Sequence, residues 1–162
     1  MEAGRASQQV YPFQLSLRIR HPSIDPESIS RELQIEPEHS FRAGDLREAS
    51  RSLTVTPTHV ESYWLATLDP QTLLLGTALA PDINPHMHAI AFAVLDSALT
   101  VLTTSILRRH AEFFRRMQSE GGEVRLIVAV SARKTRGFTL TPHLSRALSD
   151  LRIPVDFELT HR

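Results

Sequence analysis

With 162 residues, 41% apolar and 22% charged, the chain has the size of one domain and can bury a core without metal or disulfide staples. Lysine plus arginine equals aspartate plus glutamate, at 18 each, so no net field draws it toward nucleic acid or anionic lipid. The absence of cysteine excludes a disulfide framework, a thiolate zinc site and a cysteine nucleophile, and it suits a cytoplasmic protein.

Residues 1–10 lack the apolar run of a secretory signal and read as a disordered lead-in, leaving 11–162 as a single domain. From Phe13 to Arg20 the apolar residues occupy alternate positions, the period of a half-buried strand. Asp25-Pro26 then marks a helix start: the carboxylate accepts from orphan amides, and proline at the first helical position loses nothing. Ile29 and Leu33 share one side of that helix, which Glu36-Pro37 ends. His39–Asp45 reads as a short strand running into a turn, and the polar stretch from Leu46 to Thr58 as a loop or irregular hairpin. Val60, Ser62, Trp64, Ala66 and Leu68 share a face of the next strand, stopped by Asp69-Pro70.

Gln71–Ala80 is read as a short helix or an extended segment. From His86 to about Ser119 the spacing predicts the longest helix, with a wide apolar face through Ile90, Val94, Ala98 and Leu102. Thr100, Val101, Thr103, Thr104 and Ser105 are poor helix formers in a cluster, so a bend or break is expected there. Gly121-Gly122 stops it. Val124–Val130 is apolar on nearly both faces, the mark of a central strand. After the basic loop Arg133-Lys134-Thr135-Arg136, Thr141-Pro142 starts a helix carrying Leu144, Leu148 and Leu151 on one side. Ile153, Val155, Phe157 and Leu159 alternate as the last strand. The order β-α-β, β, long α, β-α-β predicts an α+β fold, a ferredoxin-like or split-βαβ sandwich with a mixed sheet and helices on one face.

Several stretches carry a resemblance to a known family: Phe13-x-Leu15-x-Leu17-x-Ile19, then His21-Pro22-x-Ile24-Asp25-Pro26, the Arg42-Ala43-Gly44-Asp45 turn, the Tyr63-Trp64 pair, and Gly121-Gly122-Glu123-Val124. In order and spacing, from about Phe13 to Leu159, the chain resembles the uncharacterised bacterial domain-of-unknown-function family numbered forty-two seventy-nine. Phe41 and Arg42 stand where that family's usual aromatic-and-lysine turn is expected. The resemblance implies a small α+β bacterial protein and no particular activity.

Eight histidines invite a metal reading, best at His86-Met87-His88. An i, i+2 pair at a helix start diverges by about 200°, so neither a metal nor a cofactor is expected. No Gly-x-Ser-x-Gly, phosphate-loop or dinucleotide pattern is present. Asp25, Asp45 and Glu61 could form an acid/base pair only if the fold brings them together. Residues 87–107 are long enough to cross a bilayer, but Asp96 in mid-segment would cost about 2.5–3.5 kcal/mol, so a core helix and no membrane contact are expected.

Two surfaces are candidates for binding. Arg108, Arg109, Arg115 and Arg116 repeat at i, i+7 and would share one side of a single helix, facing an anionic partner or simply solvent. Arg42, Asp45 and Trp64, if exposed together, make a hot-spot surface. The competing reading puts Trp64 in the core, where tryptophan is usually found, and pairs Arg42 with Asp45 across a turn. Nucleic acid is not an expected partner, because charge excess and strand aromatics are missing. The leading functional expectation is a non-catalytic protein-binding domain, an accessory or toxin-neutralising factor. The alternatives are a hydrolase or transferase with an unmarked acid/base pair, and a structural module that self-associates into a homo-oligomer through a sheet edge.

Overall fold

Alternation along Phe13–His21 (β1) places Leu15, Leu17 and Ile19 on one face, all buried, and Gln14, Arg18 and Arg20 on the other. This strand is the centre of a five-stranded sheet in a computed structural model that describes residues 13–47, 58–74, 88–131 and 139–160. The remaining strands are β2 (His39–Phe41), β3 (Ser62–Leu68), β4 (Glu123–Ser131) and β5 (Val155–Thr160). Their order across the sheet is β2-β3-β1-β4-β5. β4 and β5 run parallel, and the other neighbours are antiparallel.

Two helices close β-α-β units, and both begin the way the sequence indicates. In α1 (Pro26–Leu33) the Asp25 side chain accepts from Glu27 N–H at 3.1 Å, with proline next in line. In α6 (Pro142–Leu151) the Thr141 hydroxyl accepts from Leu144 N–H at 3.3 Å. Both end on a left-handed residue, Gln34 at φ 57° and Arg152 at φ 54°. The units differ in the sheet. α6 joins the neighbours β4 and β5, whereas α1 joins β1 to β2 with β3 inserted between them. Two antiparallel steps make β1 and β2 parallel, so the first unit is a split one. The fold is α+β with a mixed sheet.

The long apolar stretch is divided rather than continuous. α3 (His88–Val101) runs into a π-helical turn over Leu102–Ile106, followed by the short α4 (Leu107–Arg109) and by α5 (Ala111–Ser119). A brief α2 (Pro70–Leu74) precedes them. The threonine cluster marks the break. Thr103 Oγ1 donates to Leu99 O at 2.8 Å and Thr104 Oγ1 to Thr100 O at 2.6 Å, side-chain bonds that compete for the carbonyls of the preceding turn. A second break falls at His110, whose φ −104° and ψ 19° are not helical.

At the end of α5, Gly121 takes φ 87° and Gly122 N–H closes back on Met117 O at 2.8 Å, a left-handed terminus of the kind glycine makes easy. Gly122 is required for space instead. A Cβ there would lie 2.7 Å from His21 Cδ2 and 2.8 Å from Met117 O.

One face of the sheet meets the helices in a single core. Leu15, Leu17, Ile19, Trp64, Ala66, Leu126 and Val128 from the strands pack with Ile29, Leu33, Val94, Leu99, Phe114, Met117, Leu144 and Leu148. Burying these side chains removes them from water at about 25 cal/mol per Å² of apolar surface, so this layer holds the fold together.

Several expectations lie outside the described residues: the lead-in at 1–10, most of the loop between Leu46 and Thr58, residues 75–80, His86 and Met87, and the basic loop at 133–136. Leu46 and Thr58 themselves meet in an isolated bridge.

Candidate protein-interaction surface

Because strand side chains alternate, the strands that fill the core present a second set of residues to the opposite side. The ladder registers put Arg18 beside Arg125 and Leu65, and Arg20 beside Glu123 and Tyr63. On the same side, Ile127 lies beside Asp156 and Ala129 beside Glu158. At the β2 edge, His39 lies beside Leu65 and Phe41 beside Tyr63.

The charged groups form one network of both signs. Arg20 Nε donates to Glu61 Oε1 at 2.8 Å, and its guanidinium reaches Glu123 at 4.0 Å. Arg125 Nε donates to Glu123 Oε1 at 2.6 Å, and its Nη1 to Asp156 Oδ1 at 3.0 Å. Arg18 approaches Asp156 at 3.5 Å. Glu123 first, then Asp156, holds the Arg125 guanidinium above its already high pKa. Pairs this exposed add little to stability; what they fix is the pattern of charge. Beside them Phe41 stacks on Tyr63 at 5.1 Å and on His59 at 3.6 Å between ring centroids. This is a half-buried aromatic strip bordering a charged field.

The residues singled out from sequence are distributed differently. Trp64 is 0% exposed, and its indole Nε1 donates to Ser30 Oγ at 3.0 Å. It belongs to the core, which removes it from any hot-spot surface: its place on β3 is on the helix-covered face. Arg42 pairs through its side chain with Asp25 at 2.6 Å, not with Asp45. Asp45 Oδ2 instead accepts from the backbone N–H of Arg42 at 2.8 Å, tightening the turn. The Arg42 guanidinium, then the Glu27 N–H, holds the Asp25 carboxyl below its usual value.

Arg108, Arg109, Arg115 and Arg116 are all exposed, but they sit on two helices separated at His110, not on one. Arg116 lies 5.6 Å over the Phe113 ring and Arg115 Nε donates back to Ala111 O at 3.3 Å, so α5's pair is partly engaged by its own helix. The three candidate carboxylates go to three different places: Asp25 to Arg42, Asp45 to its own turn, Glu61 to Arg20.

Two histidines are tied into the scaffold. His110 Nδ1 meets Glu32 Oε1 at 3.2 Å, joining α1 to the start of α5. His21, 5% exposed, accepts at Nδ1 from Ser23 N–H at 3.1 Å and Ile24 N–H at 2.9 Å. Those bonds put the proton of the neutral ring on Nε2, which faces Glu120 Oε2 at 3.4 Å without hydrogen-bond alignment. Among the described residues, no three histidine, aspartate or glutamate side chains converge in a way that could hold a metal ion. No described helix is long and apolar enough to cross a membrane.

Sequence reading missed the open face, yet its signal was present. Arg18 and Arg20 alternate with the apolar positions of β1, and Glu123 and Arg125 do the same in β4, so the period that assigns the core also assigns this surface. The pairing of β1 with β4, which brings them together, is not encoded locally.

Comparison with protein-family models, with curated proteins and with solved structures finds no match.

Proposed function

We propose that this chain is a small, non-catalytic protein-binding domain that engages its partner through the open face of the sheet. The observation that carries the reading is the coexistence, on the side of the sheet that no described helix covers, of a mixed-sign charge network and a strip of stacked rings. Aromatic and arginine side chains are the groups that dominate interface energetics, and a two-signed pattern sets orientation and excludes wrong partners. The candidate carboxylates support the same reading. Asp25 is spent on a cap and on Arg42, Asp45 on its own turn and Glu61 on Arg20, so these three do not gather around a cleft as an acid/base mechanism requires. An accessory or toxin-neutralising role in a bacterial cytoplasm is in keeping with this reading and with the likeness to the domain-of-unknown-function family.

The test is affinity capture from host extract with three baits. The unaltered chain and an Arg108→Glu/Arg115→Glu variant should retain the same partner, while an Arg20→Glu variant should lose it. Equal retention by all three, or loss only with the helix variant, would overturn the assignment of the surface.

A further inference from the structure

Arg18 stands near the middle of the open face. β1 is the central strand of the sheet, and Arg18 lies beside Leu65 of β3 on one flank and Arg125 of β4 on the other. Like charges on adjacent strands repel, so each guanidinium needs an acceptor. Arg125 is well supplied. Its Nε donates to Glu123 Oε1 at 2.6 Å, and its Nη1 reaches the two oxygens of Asp156 at 3.0 and 3.2 Å. Arg18 is left with one approach to Asp156 Oδ2 at 3.5 Å, an ion-pair distance rather than a hydrogen bond. Its Nε is buried and meets no acceptor, although the side chain as a whole is 27% exposed. Arginine is all donor and no acceptor, and a buried donor without a partner calls for an explanation.

From this arrangement we infer that Arg18 is the receptor for a carboxylate side chain, aspartate or glutamate, presented by the partner protein. The inference rests on the protein-binding reading and deepens it by naming the group recognised. With Nε buried, the carboxylate meets the outer Nη1 and Nη2 groups, two donors against two oxygens in the planar match that makes arginine–carboxylate pairs strong. Interface energy concentrates on arginine and aromatic groups near the centre of a patch, with lesser contacts around them that keep water out. Arg18 has that placement, with Leu65 beside it and the Arg20 and Arg125 pairs around it. An incoming carboxylate also settles a conflict within the sheet, because Arg18 and Arg125 then no longer share Asp156. Phosphate suits the site less well. Glu61, Glu123 and Asp156 already stand on this face, and a dianion meets more of their repulsion than a monoanion does.

The experiment uses the full chain and three probes at equal ionic strength: glutamate capped at both ends, glutamine capped in the same way, and inorganic phosphate. Binding is followed at the side-chain N–H resonances of Arg18, Arg20 and Arg125 and at the backbone amides of Leu65 and Arg125. Capped glutamate should move the Arg18 resonances saturably and bind about tenfold more tightly than phosphate, and capped glutamine should leave them in place. Arg18→Lys keeps the charge and loses the fork, and should weaken capped glutamate about tenfold at the two amides. Asp156→Asn removes the competing carboxylate and should tighten the probe. Glu158→Gln removes the same charge from the same face, opposite Ala129 rather than beside Arg18, and should leave affinity unchanged. No saturable shift at Arg18, an equal response to capped glutamine, phosphate binding as tightly as glutamate, unchanged affinity in Arg18→Lys, or an equal gain from both carboxylate variants would overturn the inference. The titration needs only the purified chain, so partner loss by Arg20→Glu in the capture experiment stands or falls separately.

Discussion

Among the described glycines, Gly122 has the least room for a side chain. A methyl group there meets an imidazole carbon and a backbone carbonyl at once, and neither can move far: the ring is pinned by two amides, the carbonyl by the helix end. Gly122→Ala should therefore destabilise the fold by about 1–3 kcal/mol, the usual range for overpacking. Adding His21→Ala should recover part of the loss relative to the sum of the single changes, read from denaturant midpoints as a double-mutant cycle.

Trp64 separates packing from hydrogen bonding. Trp64→Ala should cost about 3–5 kcal/mol, whereas Trp64→Phe keeps much of the ring volume but leaves Ser30 Oγ without its donor, for a smaller loss. Asp25 supplies the pH dependence. Its carboxyl is depressed in the folded chain, chiefly by Arg42, so its contribution is complete above the unfolded value near 3.8 and disappears as pH falls through the folded value. The stability gap between wild type and Asp25→Asn should be constant from neutral pH down to about pH 5 and should close below about pH 4. A gap that widens on acidification would contradict the pairing.

At the scale of elements, the two proline-launched helices share a grammar: an oxygen cap, proline, an apolar side and a left-handed last residue. Glycine adopts that last conformation without penalty, so Arg152→Gly should raise stability by roughly 0.5–1 kcal/mol, seen as a higher thermal midpoint. The π-helical turn has the opposite character. Thr103 is buried and donates to Leu99 O; Thr103→Val keeps the shape and deletes the donor, and should cost about 1–2 kcal/mol.

Starts and stops of this kind are legible in the sequence because they are local. Asp25-Pro26, Thr141-Pro142 and Gly121-Gly122 each act within a few residues of themselves, and the threonine cluster announces its own break. The insertion of β3 between β1 and β2 is not local, because it depends on which strand finds which neighbour. The burial of Trp64 is legible by contrast: alternation sets it on one face with Ala66 and Leu68, and the register against β1 turns that face to the core.

At the scale of the molecule, the sheet has two sides with different work. One is sealed by helices and holds the chain folded. The other carries arginines, carboxylates and stacked rings whose pairing contributes little to stability. The candidate surfaces that stood out in the sequence were clusters of charge along the chain. The surface the fold builds instead draws on β1, β2, β3, β4 and β5, residues distant in sequence that only the ladder registers unite. Hydroxyl-radical footprinting of the chain, free and in complex with its captured partner, tests this division directly. The account predicts protection concentrated at Phe41, Tyr63, Leu65 and Ile127, with the exposed Arg109 and Arg115 of α4 and α5 unchanged. Protection centred on α4 and α5, with the open face labelled as heavily in the complex as in the free chain, would contradict it.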